Sequence, residues 1–407
     1  MTKVMSRIAQ FLRFRLERTK TLELTNVLAI NLFQRVIVNK RIIAAAALVA
    51  GLLVQTEVFA QVALSDIISP NTAKDAAAAA DPEKMARKIW RDTIKQNPMP
   101  GKGCAHVRYP NVVWEHVDCK VNRRAPVLQL PIDYIASTPG LQINMAFGSF
   151  QASGITTETD VGGDKNATHG PNSYTIQLNT NDNSYTAACG DYIHCWVWQQ
   201  FIYETDPQTG EGYLYMQYWL NNWGSTNKCP NGWTTVDYPS QRDCAKNSDT
   251  ATLPDIPIAN LAEVELYTWA TYGGEDGVAL GYGSDFWQVT NADSSVPCCK
   301  GGLDIATVWN GAEFNVVGNG GGSRAVFSDY PSINVFLSLS NGSESPPQCP
   351  QGVITVESNN LTLGTCQTLG YPYAPTIQYN EYIPVPSTPC LSCGGGGGTP
   401  PPPPIEP

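Results

Sequence analysis

The chain has 407 residues, of which 42% are hydrophobic and 15% charged, with a net charge of −10 at pH 7. A sizeable core is available, while only 26 Lys and Arg exclude an electrostatic nucleic-acid binder, whose phosphate partner needs a basic surface. The 35 Gly, 30 Pro, 18 Tyr and 10 Trp favour strands and turns over long helices.

In chain order, the first feature is IIAAAALVAGLLV at residues 42–54, preceded by Lys40 and Arg41 and followed by Val58-Phe59-Ala60. A positive flank, an apolar core and a small-residue exit are the parts of a secretory signal, so residues 1–60 are expected to be one. The alternative, an uncleaved anchor, needs a longer apolar run. No later stretch is apolar for long enough to cross a bilayer, so no stable membrane insertion is expected after cleavage. Residues 1–60 hold nine basic and three acidic residues, so the remainder carries a net charge of −16. The expected location is secreted, either extracellular or periplasmic.

Residues 61–100 read as a pro-segment or spacer. Asp81-Pro82-Glu83 predicts a short helix to about Gln96, ended by Asn97-Pro98. Residues 101–140 form a Cys-bracketed N-terminal piece. All twelve cysteines lie beyond residue 60, an even count that reads as a disulfide framework in an exported chain. Sequence proximity pairs Cys104 with Cys119, Cys189 with Cys195, Cys229 with Cys244, Cys349 with Cys366 and Cys390 with Cys393. Cys298 and Cys299 are left as a vicinal pair or with distant partners. The Cys390–Cys393 pair lacks the second half of a zinc site, and no metal or cofactor is expected.

The main body, residues 141–385, shows repeated period-two strands between turn-rich loops. These are 173–179, 195–203, 213–220, 262–270, 312–317, 323–328 and 332–339. That pattern predicts an all-β, disulfide-stapled antiparallel sandwich or jelly roll, with the N-terminal helix appended. Residues 386–407 form a Gly/Pro-rich tail expected to be disordered. Asn166, Asn341 and Asn360 begin matches to the glycan acceptor pattern.

The familiar catalytic motifs are absent. Gly321-Gly-Ser323-Arg-Ala325 sits in a Gly-rich loop rather than a strand-to-helix turn, and the four histidines are scattered. The remaining candidate is Glu313, which shares a strand face with Asn315 and Val317. On a concave, desolvated face its pKa rises and it can take a proton from water. On an outward, solvated face it would do nothing. Trp196, Trp198, Tyr218 and Trp219 crowd two neighbouring strands, either as core or as a groove for a peptide or for sugar rings.

The stretch Asn310-Gly-Ala-Glu-Phe-Asn-Val-Val317, continued by Ala325-Val-Phe327 and Ile333–Leu339, resembles the alanine-glutamate-aromatic strand of the fungal glutamic peptidases. Gln200-Phe-Ile-Tyr-Glu204 and the aromatic strand Tyr213–Trp223 resemble that family's other catalytic strand, and Trp198-Gln199 through Gly232 is also similar to the neprosin peptidases. The resemblance covers roughly residues 140–340. It implies a β-sandwich acid endopeptidase in which a Glu activates water and a Gln or second Glu holds the oxyanion. Glu313 matches the Glu. The second position falls on Trp196 or Cys195, so Gln199 or Gln200 serves only with a shifted register. Strand alternation lets one of the two face the groove, and Gln199, which shares a face with Cys195 and Val197, is preferred. The expected partner is a polypeptide substrate, with a monomer as the working form. The alternative is a non-catalytic secreted module that binds carbohydrate or peptide through the aromatic face.

Overall fold

The computed structural model describes residues 82–121, 132–163, 169–181, 185–224, 228–237, 241–292, 303–328, 330–352 and 355–384. The signal at 1–60, most of the pro-segment, the glycan match at Asn166, Cys298, Cys299, Cys390, Cys393 and the tail lie outside these residues.

The fold is all-β, with two large antiparallel sheets face to face. Strands β1 (Gly103–Arg108), β4 (Met145–Ser153), β10 (Val264–Ala270), β11 (Glu275–Tyr282), β12 (Asp285–Ala292), β15 (Ser332–Ser340) and β16 (Thr376–Tyr382) build the first sheet, in the order β1-β12-β11-β10-β4-β15-β16. The second contains β3 (Ala136–Ser137), β6 (Tyr174–Thr180), β7 (Trp196–Asp206), β8 (Glu211–Asn221), β9 (Arg242–Asn247) and β13 (Gly311–Gly318), in the order β9-β8-β7-β6-β13-β3. A smaller sheet pairs β5 (Glu158–Gly162) with β14 (Ser323–Phe327), and β2 (Asp133–Tyr134) pairs with Gln351–Gly352.

Alternation decides what each face of the second sheet does. Ile176, Leu178, Phe201, Tyr203, Met216, Leu220, Phe314 and Val316 point inward and join the core with residues of the first sheet, such as Phe150, Leu266, Val278 and Leu337. Phe314 stacks on Phe150 with ring centroids 4.6 Å apart. Gly148 makes room for it, since a Cβ there would lie 2.4 Å from the Phe314 ring. The alternate residues of the same strands therefore face out of the sandwich, and this outer face holds the candidate site.

The strands expected from alternation are present, with ends shifted by one to three residues. The pattern missed β1, β4, β5, β9, β11, β12 and β16; in β4 and β11 Gly residues interrupt the period. Helix α1 (Pro82–Gln96) forms as expected and packs on the outer face of the first sheet. Trp90 and Ile94 are buried against Phe147, Tyr267 and Phe286, and Lys95 bridges to Glu265 at 2.7 Å. The Cys-bracketed piece is woven into the sandwich, because β1 pairs with β12 along its full length. Cys104–Cys119, Cys189–Cys195, Cys229–Cys244 and Cys349–Cys366 are all bonded, the four pairs expected within the described residues. A native bridge of this kind typically contributes about 2–4 kcal/mol. Among the described residues no helix is long and apolar enough to cross a membrane.

Candidate active site on the outer face of the second sheet

The register brings together side chains from four strands. Glu313 of β13 lies opposite Asn179 of β6, Asn179 opposite Gln200 of β7, and Gln200 opposite Gln217 of β8. Directly paired residues share a face, so these four form one row across the outer surface. Gln177 and Asn315 lie one step along the same face.

Hydrogen bonds link the row. Asn179 Nδ2 donates to Glu313 Oε2 at 2.9 Å and to Gln177 Oε1 at 3.3 Å. Gln200 Nε2 donates to the same Gln177 oxygen at 3.0 Å. Trp219 Nε1 donates to Gln200 Oε1 and Gln217 Oε1, both at 3.1 Å. With its oxygen held by the indole, the Gln200 amide turns its nitrogen towards β6, where Gln177 accepts from it.

The row is buried: Glu313 and Asn179 are 1% exposed and Gln200 is 3% exposed. Thr355 and Glu357 lie against it. Thr355 Oγ1 is 3.0 Å from Gln177 Oε1 and 2.9 Å from Glu357 Oε2, and Gln177 Nε2 donates to Glu357 at 3.3 Å. Two further acids close the edge beyond β13, where Asn315 Nδ2 donates to both Asp133 and Glu381. Four carboxyl groups thus share a buried region, and among the described residues no Lys, Arg or His is hydrogen-bonded to any of them.

Desolvation dominates their acidity. Burial drives Glu313 well above the usual carboxylate range, the charge of Asp133 adds to the rise, and the hydrogen bond from Asn179 partly offsets it. Glu313 Oε1 makes no hydrogen bond of normal geometry, although the Thr355 backbone helps to stabilise the charged form. Burial lifts Asp133 to about 6 and Glu381 to about 8, and it also raises Glu357. In this closed arrangement burial favours the protonated form of Glu313.

The structure separates the residues expected from sequence. Gln200, and not the preferred Gln199, shares the face of Glu313. Gln199 is inward and fully buried, its Nε2 3.8 Å from Met216 Sδ. The face it shares with Val197 is the core face. Tyr218 is also inward, its hydroxyl accepting from Asn291 at 3.1 Å, so it cannot meet a ligand on the outer face. Trp198 and Trp219 do lie on that face, 5.8 Å apart, buried with Val236 and Ala245 beneath Ile135. Trp196 shares their side of β7, opposite Asn221, and is half-buried. Asn179, Gln177, Asp133, Glu357 and Glu381 were missed. Asn179 and Gln177 alternate in a predicted strand and could have been flagged, whereas the three acids come from distant segments without a local signal. Among the described residues, no group of three or more His, Cys, Asp or Glu is placed to hold a metal ion.

No protein-family profile and no curated protein matches the chain. Among solved structures it is similar to the crystal structure of Scytalido-glutamic peptidase with a peptide-based transition state analog. Identity is 12% and the TM-score 0.27, over 63% of this chain and 100% of that one. A likeness that weak carries no weight for activity.

Proposed function

We propose that this chain is an exported glutamic-type endopeptidase that hydrolyses polypeptides in acid, with Glu313 and Gln200 as its working pair. The observation that supports this reading is the outer-face row, in which a carboxyl and a primary amide flank Asn179 in direct cross-strand register. The oxidised disulfides, the secretory features at 1–60 and the resemblance of residues 140–340 support export and the reaction class.

The chemistry needs the row open to water. Once solvated, Glu313 returns towards the ordinary Glu pKa of about 4.3, so its carboxylate is available at pH 4–5. It takes a proton from water as the water oxygen bonds to the scissile carbonyl carbon. The Gln200 N–H groups hold the resulting oxyanion. The C–N bond then breaks, and Glu313 returns the proton to the leaving amine. Asn179 orients the carboxylate, and Trp219 sets the Gln200 amide.

The test separates the two adjacent glutamines. Processed protein is incubated with a peptide library at pH 3–5 and cleavage is followed by mass spectrometry. Gln200→Ala should lower kcat by about 10²–10³-fold, the usual cost of an oxyanion donor. Gln199→Leu, a change on the core face, should leave the rate per folded molecule within about twofold, because only interactions with the transition state set kcat. Equal effects of the two would refute the assignment. The rival reading, a non-catalytic module gripping a glycan with its aromatics, finds Trp198 and Trp219 buried and Tyr218 in the core. Glycan binding lost in Trp219→Ala but kept in Glu313→Gln would favour it.

A further inference from the structure

The segment beside the row is held by backbone pairing and by side chains, Asn359 Nδ2 donating to Val316 O and to Glu381, both at 3.2 Å. Its backbone runs parallel to the edge of β14, with Arg324 opposite Ser358 and Ala325 opposite Asn359. Asn360 N donates to Ala325 O at 3.1 Å, and the Asn360 side chain both accepts from Phe327 N at 2.9 Å and donates to Phe327 O at 3.1 Å. The amide of this glycan-acceptor match is therefore engaged as a mimic of strand pairing. Two residues apart and reaching the same partner, Thr355 and Glu357 both meet Gln177, and Glu357 also accepts from Gly322 N. An extended chain bonded to a sheet edge, with alternate side chains on the sheet face, is how proteins bind peptides by strand addition.

We infer that residues 355–361 occupy, in cis, the acceptor groove for an extended polypeptide, and that substrate enters along the β14 edge by displacing them. This rests on the peptidase reading of the Glu313–Gln200 row and adds its binding mode and its latency. The disulfide Cys349–Cys366 closes the loop that carries the segment, so the displaced strap stays tethered nearby. The groove selects a backbone in extended form, since β14 offers main-chain N–H and C=O groups, while Gln177 and Gly322 meet polar side chains of the bound chain.

The experiment uses the full processed chain and the double variant Glu357→Ala/Asn360→Ala, which removes the Glu357 contacts to Gln177 and Gly322 and the Asn360 side-chain contacts to Phe327, leaves the Thr355 contact to Gln177, and changes none of Glu313, Asn179, Gln200 and Gln217. The probe is a synthetic fluorescent peptide of residues 353–363, followed by polarisation. A strap that is closed in nine molecules of ten lowers apparent affinity about tenfold, so the double variant should bind the probe tighter than wild type by up to about tenfold. Carbodiimide coupling of an amine, read by mass spectrometry, should label Glu313 in the double variant and spare it in wild type. Equal labelling, or equal probe affinity, would overturn the inference. If the double variant fails to fold, hydrogen exchange of wild type decides: saturating probe should deprotect amides 355–361 while 323–327 stay protected, and unchanged protection of 355–361 overturns the strap. The two readings fail separately. Tight probe binding with no cleavage of any peptide keeps the groove and removes the peptidase. Cleavage by wild type while 355–361 stay protected removes the strap and keeps the peptidase.

Discussion

Glu313→Gln is expected to abolish peptide hydrolysis, lowering kcat by about 10³-fold, within the usual contribution of a general base. The substitution is close to isosteric, and a Gln oxygen can still accept from Asn179 Nδ2, the bond Glu313 makes at 2.9 Å. It also removes a group whose ionisation burial opposes. The variant should therefore fold and be at least as stable as wild type at neutral pH, so lost activity reports chemistry and not unfolding. Assays at pH 3–5, normalised to folded protein by circular dichroism, check this. Full activity in Glu313→Gln would remove the reaction from this side chain.

The second large effect is on stability. Asp133 at about 6, Glu381 at about 8, and the separate buried pair Asp160 at about 6 and Glu158 at about 9 all hold protons more tightly folded than unfolded. The unfolded chain releases these protons near pH 4. Between pH 4 and those higher values the native state binds more protons, so stability is full below about pH 4 and declines as pH rises. One carboxyl moved as far as Asp133 accounts for a loss on the order of 3 kcal/mol. The midpoint of thermal unfolding should fall steadily from pH 4 to pH 8. Asp133→Asn combined with Glu381→Gln should flatten the slope. A midpoint that rises with pH would contradict the burial of these acids in uncharged form. The same sign bears on latency: acid protonates the carboxyls and keeps the strap seated, so displacement falls to the competing polypeptide rather than to pH.

Much of this architecture was legible in the sequence. Alternation in β6 and β13 is readable because one face is apolar and the other polar, and the four bridges join cysteines that proximity paired. Strands such as β11, with Gly277 and Gly281 in eight residues, carry no readable period. Glu313 was legible by resemblance. Its partner was not, because two consecutive glutamines differ only in face, and the pairing of Gln200 with Asn179 settles the face. The closure of the site was illegible for a different reason. Asp133, Glu357 and Glu381 come from short or irregular segments on either side of the main strands, and only the folded chain brings them to β13.

Under the proposed mechanism Glu313 and Gln200 meet the scissile group together. The most direct check is a crystal structure of the Glu357→Ala/Asn360→Ala chain bound to a peptide whose cleavable amide is replaced by a tetrahedral hydroxymethylene. The hydroxyl should lie within hydrogen-bond distance of both the Glu313 carboxyl and the Gln200 amide nitrogen, with the peptide paired to β14. A peptide bound elsewhere, or a Gln200 amide still committed to Gln177 while the hydroxyl faces other groups, would contradict the account.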